Sequence, residues 1–65
     1  MKESDIVAEA GNYWVYKDKR GYHVMRPYHA VASITDSSYP LTNDGKSIAL
    51  ARMNYLYNRG GTHNV

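Results

Sequence analysis

The 65 residues predict a small α+β domain of two layers, a three-stranded antiparallel sheet packed on a C-terminal helix, with a short helix possible at the N-terminus. Three observations predict it. Asn12–His29 places alternating aromatic and other side chains on either side of Lys17-Asp18-Lys19-Arg20-Gly21, the pattern of a β-hairpin. His29–Thr35 is a further extended, partly apolar run. Thr42–Asn58 opens on capping residues, continues with Ala, Leu and Met, and closes before Gly60.

Residues 1–11 allow two readings. Ser4 can cap a short helix holding Ile6, Val7 and Ala10 that stops at Gly11, or Ile6-Val7-Ala8 can extend as a strand; the Ala-rich interior favours the helix. The sheet then occupies residues 12–35. With Lys19-Arg20-Gly21 as a three-residue loop and Gly21 at φ > 0, Tyr16 faces Val24, Trp14 faces Arg26, Val15 faces Met25 and Lys17 faces His23. One sheet face carries Trp14, Tyr16, Tyr22 and Val24, and the other Tyr13, Val15, Lys17, His23 and Met25. Pro27 ends the second strand or sits at an edge, since it has no N–H to donate. Val31 and Ile34 lie an odd number of positions apart in the third strand, so either a bulge intervenes or both faces need cover. Asp36–Leu41 reads as a turn, with Tyr39 and Leu41 anchoring it to the core.

The main helix is expected over residues 43–59, with Thr42 or Asn43 as N-cap, Asp44 at the positive end of its dipole and Arg59 at the negative end. On a helical wheel Ile48, Ala51 and Tyr55 form one stripe, Ala49, Met53 and Leu56 a second, and Leu50, Met53 and Tyr57 a third. The polar strip of Ser47, Asn54 and Asn58 is narrow. A helix lying on one sheet normally shows a single apolar arc. Residues 60–65 read as a frayed tail.

A single domain this short buries only about 60% of the surface its unfolded chain exposes, and without cysteine no disulfide or thiolate metal site reinforces it. Net charge is +2, weak support for a nucleic-acid partner. Seven tyrosines, one tryptophan and no phenylalanine point to rings whose hydroxyls meet solvent or a partner. Apolar and aromatic side chains line both expected sheet faces and most of the helix. Each uncovered Val, Met, Leu or Tyr forgoes about 1.5–3 kcal/mol, so three or four rival the stability of so small a domain. The surplus predicts cover from another chain: a second copy, a protein target, or both.

Other chemistry is sparse. His23 and His29 lie six apart without an acidic cluster, so no metal is expected, and Gly60-Gly61 follows a helix and cradles no phosphate. No cofactor or small-molecule substrate is implied. No apolar run approaches the roughly 18 residues of a membrane span, and no charged-then-apolar leader opens the chain. Lys17, Lys19, Arg20 and Arg26 interleave with Tyr13, Trp14, Tyr16 and Tyr22, a combination that can enter a groove or stack bases.

Strands followed by a helix resemble, in topology, the arm-binding domains of tyrosine recombinases and plant AP2 domains. The opening MKESDIV, Trp14-Val15 and Gly21-Tyr22-His23 resemble HicA-type toxins. That resemblance implies an α-β-β-β-α fold and RNA cleavage with His23 as general acid or base. The runs Thr35–Pro40 and Asp44–Leu56, behind an aromatic hairpin, resemble small phage and prophage proteins, which implies an accessory protein in the cytoplasm of a bacterial host, an inhibitor of a defence or regulatory complex of the anti-CRISPR kind. The reading that combines these expectations is a non-enzymatic, self-associating module that binds a protein target through Tyr13, Lys17, Arg20, His23 and Met25 on the hairpin and Arg52, Tyr55 and Arg59 on the helix. Nucleic-acid binding through the basic hairpin is the alternative, and the His23 ribonuclease the third reading.

Overall fold

Strands Ile6–Ala10 (β1), Tyr13–Asp18 (β2), Gly21–His29 (β3) and Ala32–Tyr39 (β4) precede a single helix, Asn43–Gly61 (α1), in the computed structural model, which describes residues 5–29 and 32–61. The sheet is an antiparallel meander in the order β1-β2-β3-β4, and α1 packs on one of its faces. The α+β class and the helix-on-sheet layering agree with expectation. The sheet has four strands rather than three.

The extra strand is the N-terminal segment expected as a helix. Five residues are too few to repay helix nucleation alone, whereas pairing with β2 satisfies their backbone at once. Ser4, the expected cap, lies outside the described residues. Gly11 does end the element, but as the first central residue of the Gly11-Asn12 turn, at φ 61, the position where II′ hairpins need glycine.

The β2–β3 hairpin is one residue tighter than expected. Asp18 pairs with Gly21, so the loop is Lys19-Arg20, and the register sets Lys17 opposite Tyr22, Tyr16 opposite His23, Val15 opposite Val24 and Trp14 opposite Met25. The Asp18 carboxylate closes the turn by accepting from the backbone N–H groups of Arg20 at 2.8 Å and Gly21 at 3.3 Å. Gly21 has the positive φ expected of it, 143, although the loop is shorter. The fold adds a second reason for glycine: a Cβ there would lie 2.1 Å from the Tyr39 carbonyl oxygen of the adjoining strand. A one-residue slip exchanges cross-strand partners between faces. Tyr13, Val15 and Lys17 therefore share the helix-side face with Tyr22 and Val24, and Trp14 and Tyr16 share the far face with His23 and Met25.

Val15, Val24 and Ala49 are fully buried and Met53 nearly so, and together they join the sheet to α1. Burying each valine contributes about 1.5–3 kcal/mol, a large share of what a domain this small can hold.

The strand expected at residues 29–35 instead runs Ala32–Tyr39, so Asp36-Ser37-Ser38-Tyr39 is strand and not turn. Val24 pairs with Ser37 but Met25 with Thr35, which leaves Asp36 as the extra residue of a β-bulge. The Asp36 bulge lies beyond Ile34, and the bulge expected between Val31 and Ile34 involves Val31, which lies outside the described residues. Pro27 sits beyond the last β2–β3 pair, Trp14 with Met25, where β3 has only β4 beside it and tolerates a missing N–H. Tyr39 packs on the core as expected, whereas Leu41 is half exposed and is no anchor.

Thr42 caps the helix. Its Oγ1 accepts from the Gly45 N–H at 2.9 Å and its carbonyl from the Lys46 N–H at 2.9 Å. Asp44 lies in the first turn and Arg59 in the last, which runs on to Gly61. Of the three stripes, Ala49-Met53-Leu56 faces the sheet, Tyr57 of another lies against Gly11, and Ile48-Ala51-Tyr55 is left exposed. Thr62–Val65 lie outside the described residues.

Candidate functional site

Two surfaces stand out, on opposite sides of the molecule. The first is the far face of the sheet, where the corrected register lines up Trp14, Tyr16 and His23. The Trp14 and Tyr16 rings are tilted at 5.6 Å between centroids, and Tyr16 stacks on the His23 imidazole at 4.7 Å. Ile6 of β1 is the cross-strand partner of Tyr16, and Met25 extends the face beyond Trp14. Met25 is held by the Thr35 hydroxyl, which donates to its sulfur at 3.4 Å. Among the described residues no second layer covers this face.

His23 is buried, and both ring nitrogens are engaged. The Asp18 carboxylate, which can only accept, takes the Nε2–H at 2.8 Å, and Ser38 Oγ lies 2.7 Å from Nδ1, where a hydroxyl donates to the neutral ring or accepts from the charged one. The His23 hydrogen bond, reinforced by the Arg20 backbone N–H, holds the Asp18 carboxyl below its usual range. Carboxylate, imidazole and hydroxyl thus form a chain in the order found in serine hydrolases. A hydrolase also needs backbone N–H groups aimed at a developing oxyanion. The Arg20 and Gly21 N–H groups beside this chain are both committed to Asp18. The chain fixes the imidazole under Tyr16 and so sets the shape of the aromatic row.

The second surface is the flank of α1 that overhangs β4. The bulge turns Asp36 toward the helix, where Arg52 grips it with Nε at 2.8 Å and Nη2 at 3.2 Å from its two oxygens. Arg26 approaches the same carboxylate at 3.7 Å and Ser37 Oγ donates to it at 2.9 Å. The Arg52 hydrogen bond is the main cause that lowers the Asp36 pKa and, in return, raises that of Arg52. Arg52 and Arg59 both lie over the Tyr55 ring, at 5.5 and 6.0 Å, and Ile48 continues the stripe one turn back. Ile48 is 50% exposed and Tyr55 52%.

The eight expected binding residues are therefore divided. Tyr13 packs beside the core and Lys17 is exposed on the same sheet face; Arg20 is exposed in the hairpin loop; His23 and Met25 lie on the far face; Arg52, Tyr55 and Arg59 form the helix flank. The structure brings the last three together and separates Tyr13 and Lys17 from His23 and Met25. Asp18, Ser38 and Asp36 escaped the sequence reading. Asp18 was legible in principle, since an acid opening a two-residue turn comes within reach of the residue two places beyond the turn's glycine. Ser38 and Asp36 were not, because their placement depends on a bulge that no residue pattern announces.

Among the described residues no group of three His, Asp or Glu side chains could hold a metal, and no helix is long and apolar enough to cross a membrane. Comparisons with protein-family models, curated proteins and solved structures find no match.

Proposed function

We propose that this chain is a non-enzymatic binding protein that self-associates and recognises a protein target through the far face of its sheet. The composition of that face carries the proposal. Ile6, Trp14, Tyr16 and Met25 surround a tethered His23, the exposed Glu9 stands opposite Trp14 at the β1 margin, and among the described residues no Lys or Arg shares the face. Rings and aliphatic groups without cations suit the apolar centre of a protein interface. A nucleic acid would need positive charge between the rings to neutralise phosphates. The setting, a phage or prophage accessory protein acting on a bacterial host complex, rests on the resemblance of Thr35–Pro40 and Asp44–Leu56.

The alternative, nucleic-acid binding, is supported by one observation: Lys17, Lys19 and Arg20 are exposed together at the β2–β3 hairpin tip. The ribonuclease reading draws less support, since a general acid or base needs a ring nitrogen in reach of substrate and both of His23's are taken.

Pull-down from a bacterial host with wild-type protein and with Trp14→Asp separates these readings. Capture of a protein that survives high salt and is lost with Trp14→Asp, the variant retaining its circular dichroism, is the expected result. Binding to mixed DNA and RNA that falls steeply with added salt would favour the alternative. Growth arrest on expression, abolished by His23→Ala, would favour the ribonuclease.

A further inference from the structure

The exposed flank of α1 is complementary to itself. Asp44 stands in the first turn and Arg59 in the last, and between them on the same side lie Ile48, Ala51 and Tyr55, all exposed. The steps of four, three, four and four residues keep these positions on one side of the helix, as in a seam that packs against another helix. If a second copy of α1 is laid antiparallel across this flank, with a two-fold axis passing between residues 51 and 52, every position finds a suitable partner. Asp44 meets the second copy's Arg59, Ile48 meets its Tyr55, and the small Ala51 leaves room for its Arg52. The reverse contacts follow by symmetry, as an isologous interface requires. The Arg52 charge is already matched by Asp36, so it brings no repulsion to the axis.

The sheet supplies an independent observation. β4 pairs with β3 on one side only, and its sequence, ASITDSSY, has neither lysine nor proline, so the Asp36 bulge is the one edge-guarding device it carries. Arg52, next to the proposed axis, holds Asp36 near the middle of β4. The axis that pairs the helices therefore also runs beside the midpoint of that strand and sets the two free edges antiparallel.

We propose that a second copy of this chain occupies the flank, helix against antiparallel helix and β4 beside β4, forming a two-fold dimer. This rests on the self-association in the function proposed above and names its surface. Both far sheet faces then lie on the same side of the dimer, and the target meets two aromatic rows at once.

The chain has no cysteine, so single cysteines report proximity without background. Under mild oxidation Ala51→Cys, beside the axis, forms a disulfide-linked dimer in most of the protein. Asn54→Cys, on the helix's polar strip, does not. In sedimentation equilibrium Asp44→Arg and Arg59→Asp each weaken the dimer about tenfold, and the double exchange returns it close to wild type. Cross-linking of Ala51→Cys no greater than that of Asn54→Cys overturns the proposal, as does a double exchange weaker than either single variant. If wild type still sediments as a dimer in that case, this surface is wrong and self-association stands. If wild type is a monomer at every concentration, both fall.

Discussion

Replacing Gly45 with alanine sets two effects of opposite sign against each other. Gly45 lies in the first turn of α1, where sequence rules favour the change. Alanine is the better helix former by about 0.8–1 kcal/mol, and it also restricts the unfolded chain. The fold opposes it. A Cβ on Gly45 would lie 1.9 Å from the Pro40 carbonyl oxygen, 2.9 Å from its carbonyl carbon and 3.2 Å from its nitrogen. These are backbone atoms of a proline, which cannot rotate away as a side chain would. Ordinary contact requires more than about an ångström of separation, and the movement falls on the Pro40–Thr42 turn. There the Thr42 N–H donates to the same Pro40 oxygen at 2.8 Å, and Thr42 Oγ1 caps the helix. Overpacking costs about 1–3 kcal/mol and a weakened cap about 1 kcal/mol more. Against a gain of about 1 kcal/mol, the net expectation is a loss of about 1–3 kcal/mol, which at this chain length lowers Tm by roughly 5–20 °C. Urea and thermal melts by circular dichroism measure it. Ser47→Ala, exposed in the same helix, serves as the control in which propensity acts alone and stability rises by a few tenths of a kcal/mol. A Gly45→Ala protein as stable as Ser47→Ala or more so would refute the close seating of the turn on the helix start.

Gly21→Ala places a Cβ against the Tyr39 carbonyl at a backbone φ of 143, and a loss of about 2 kcal/mol or more, seen as a lower urea midpoint, is expected. Met53→Ala empties the centre of the core and should cost about 2–5 kcal/mol by the same assay. Asp36 has a folded pKa below its ordinary 3.8, so its contribution to stability is complete above that value and is lost as pH falls through the lower folded one. The urea midpoint of wild type should therefore fall across that acid window relative to Asp36→Asn, and an unchanged gap between the two proteins would contradict the Arg52 pairing.

The helix was the most legible part of the chain because its signals are local. Thr42, Asp44 and Arg59 act through their own backbone or charge, and each lies where a capping argument puts it. The three apolar stripes could also be seen, though only packing decides that Ala49 and Met53 meet the sheet while Ile48 and Tyr55 do not. The strands were harder. Ile6–Ala10 has no preference strong enough to choose helix or strand, and the choice fell to its pairing with β2. The hairpin was visible but its register was not. The glycine at the end of the turn does take a positive φ, but it closes a two-residue loop and also lies where β4 comes too close for a side chain. That single slip reassigned the partners on both faces, so the aromatic row of Trp14, Tyr16 and His23 could not have been assembled from the residue pattern. Asp36–Tyr39, rich in turn-forming residues, joins the sheet because β3 is long enough to pair with it.

Trp14 is the only tryptophan in the chain and lies at one end of the aromatic row, beside Tyr16, so its fluorescence reads that surface alone. Acrylamide quenching of the isolated protein should reach Trp14 at every protein concentration, since the dimer buries the helix flank and leaves the far sheet face open, and a captured target should shield it and shift its emission to the blue. A tryptophan already inaccessible in the isolated protein, or one whose quenching is unchanged by the bound target, would contradict the assignment of that face as the binding surface.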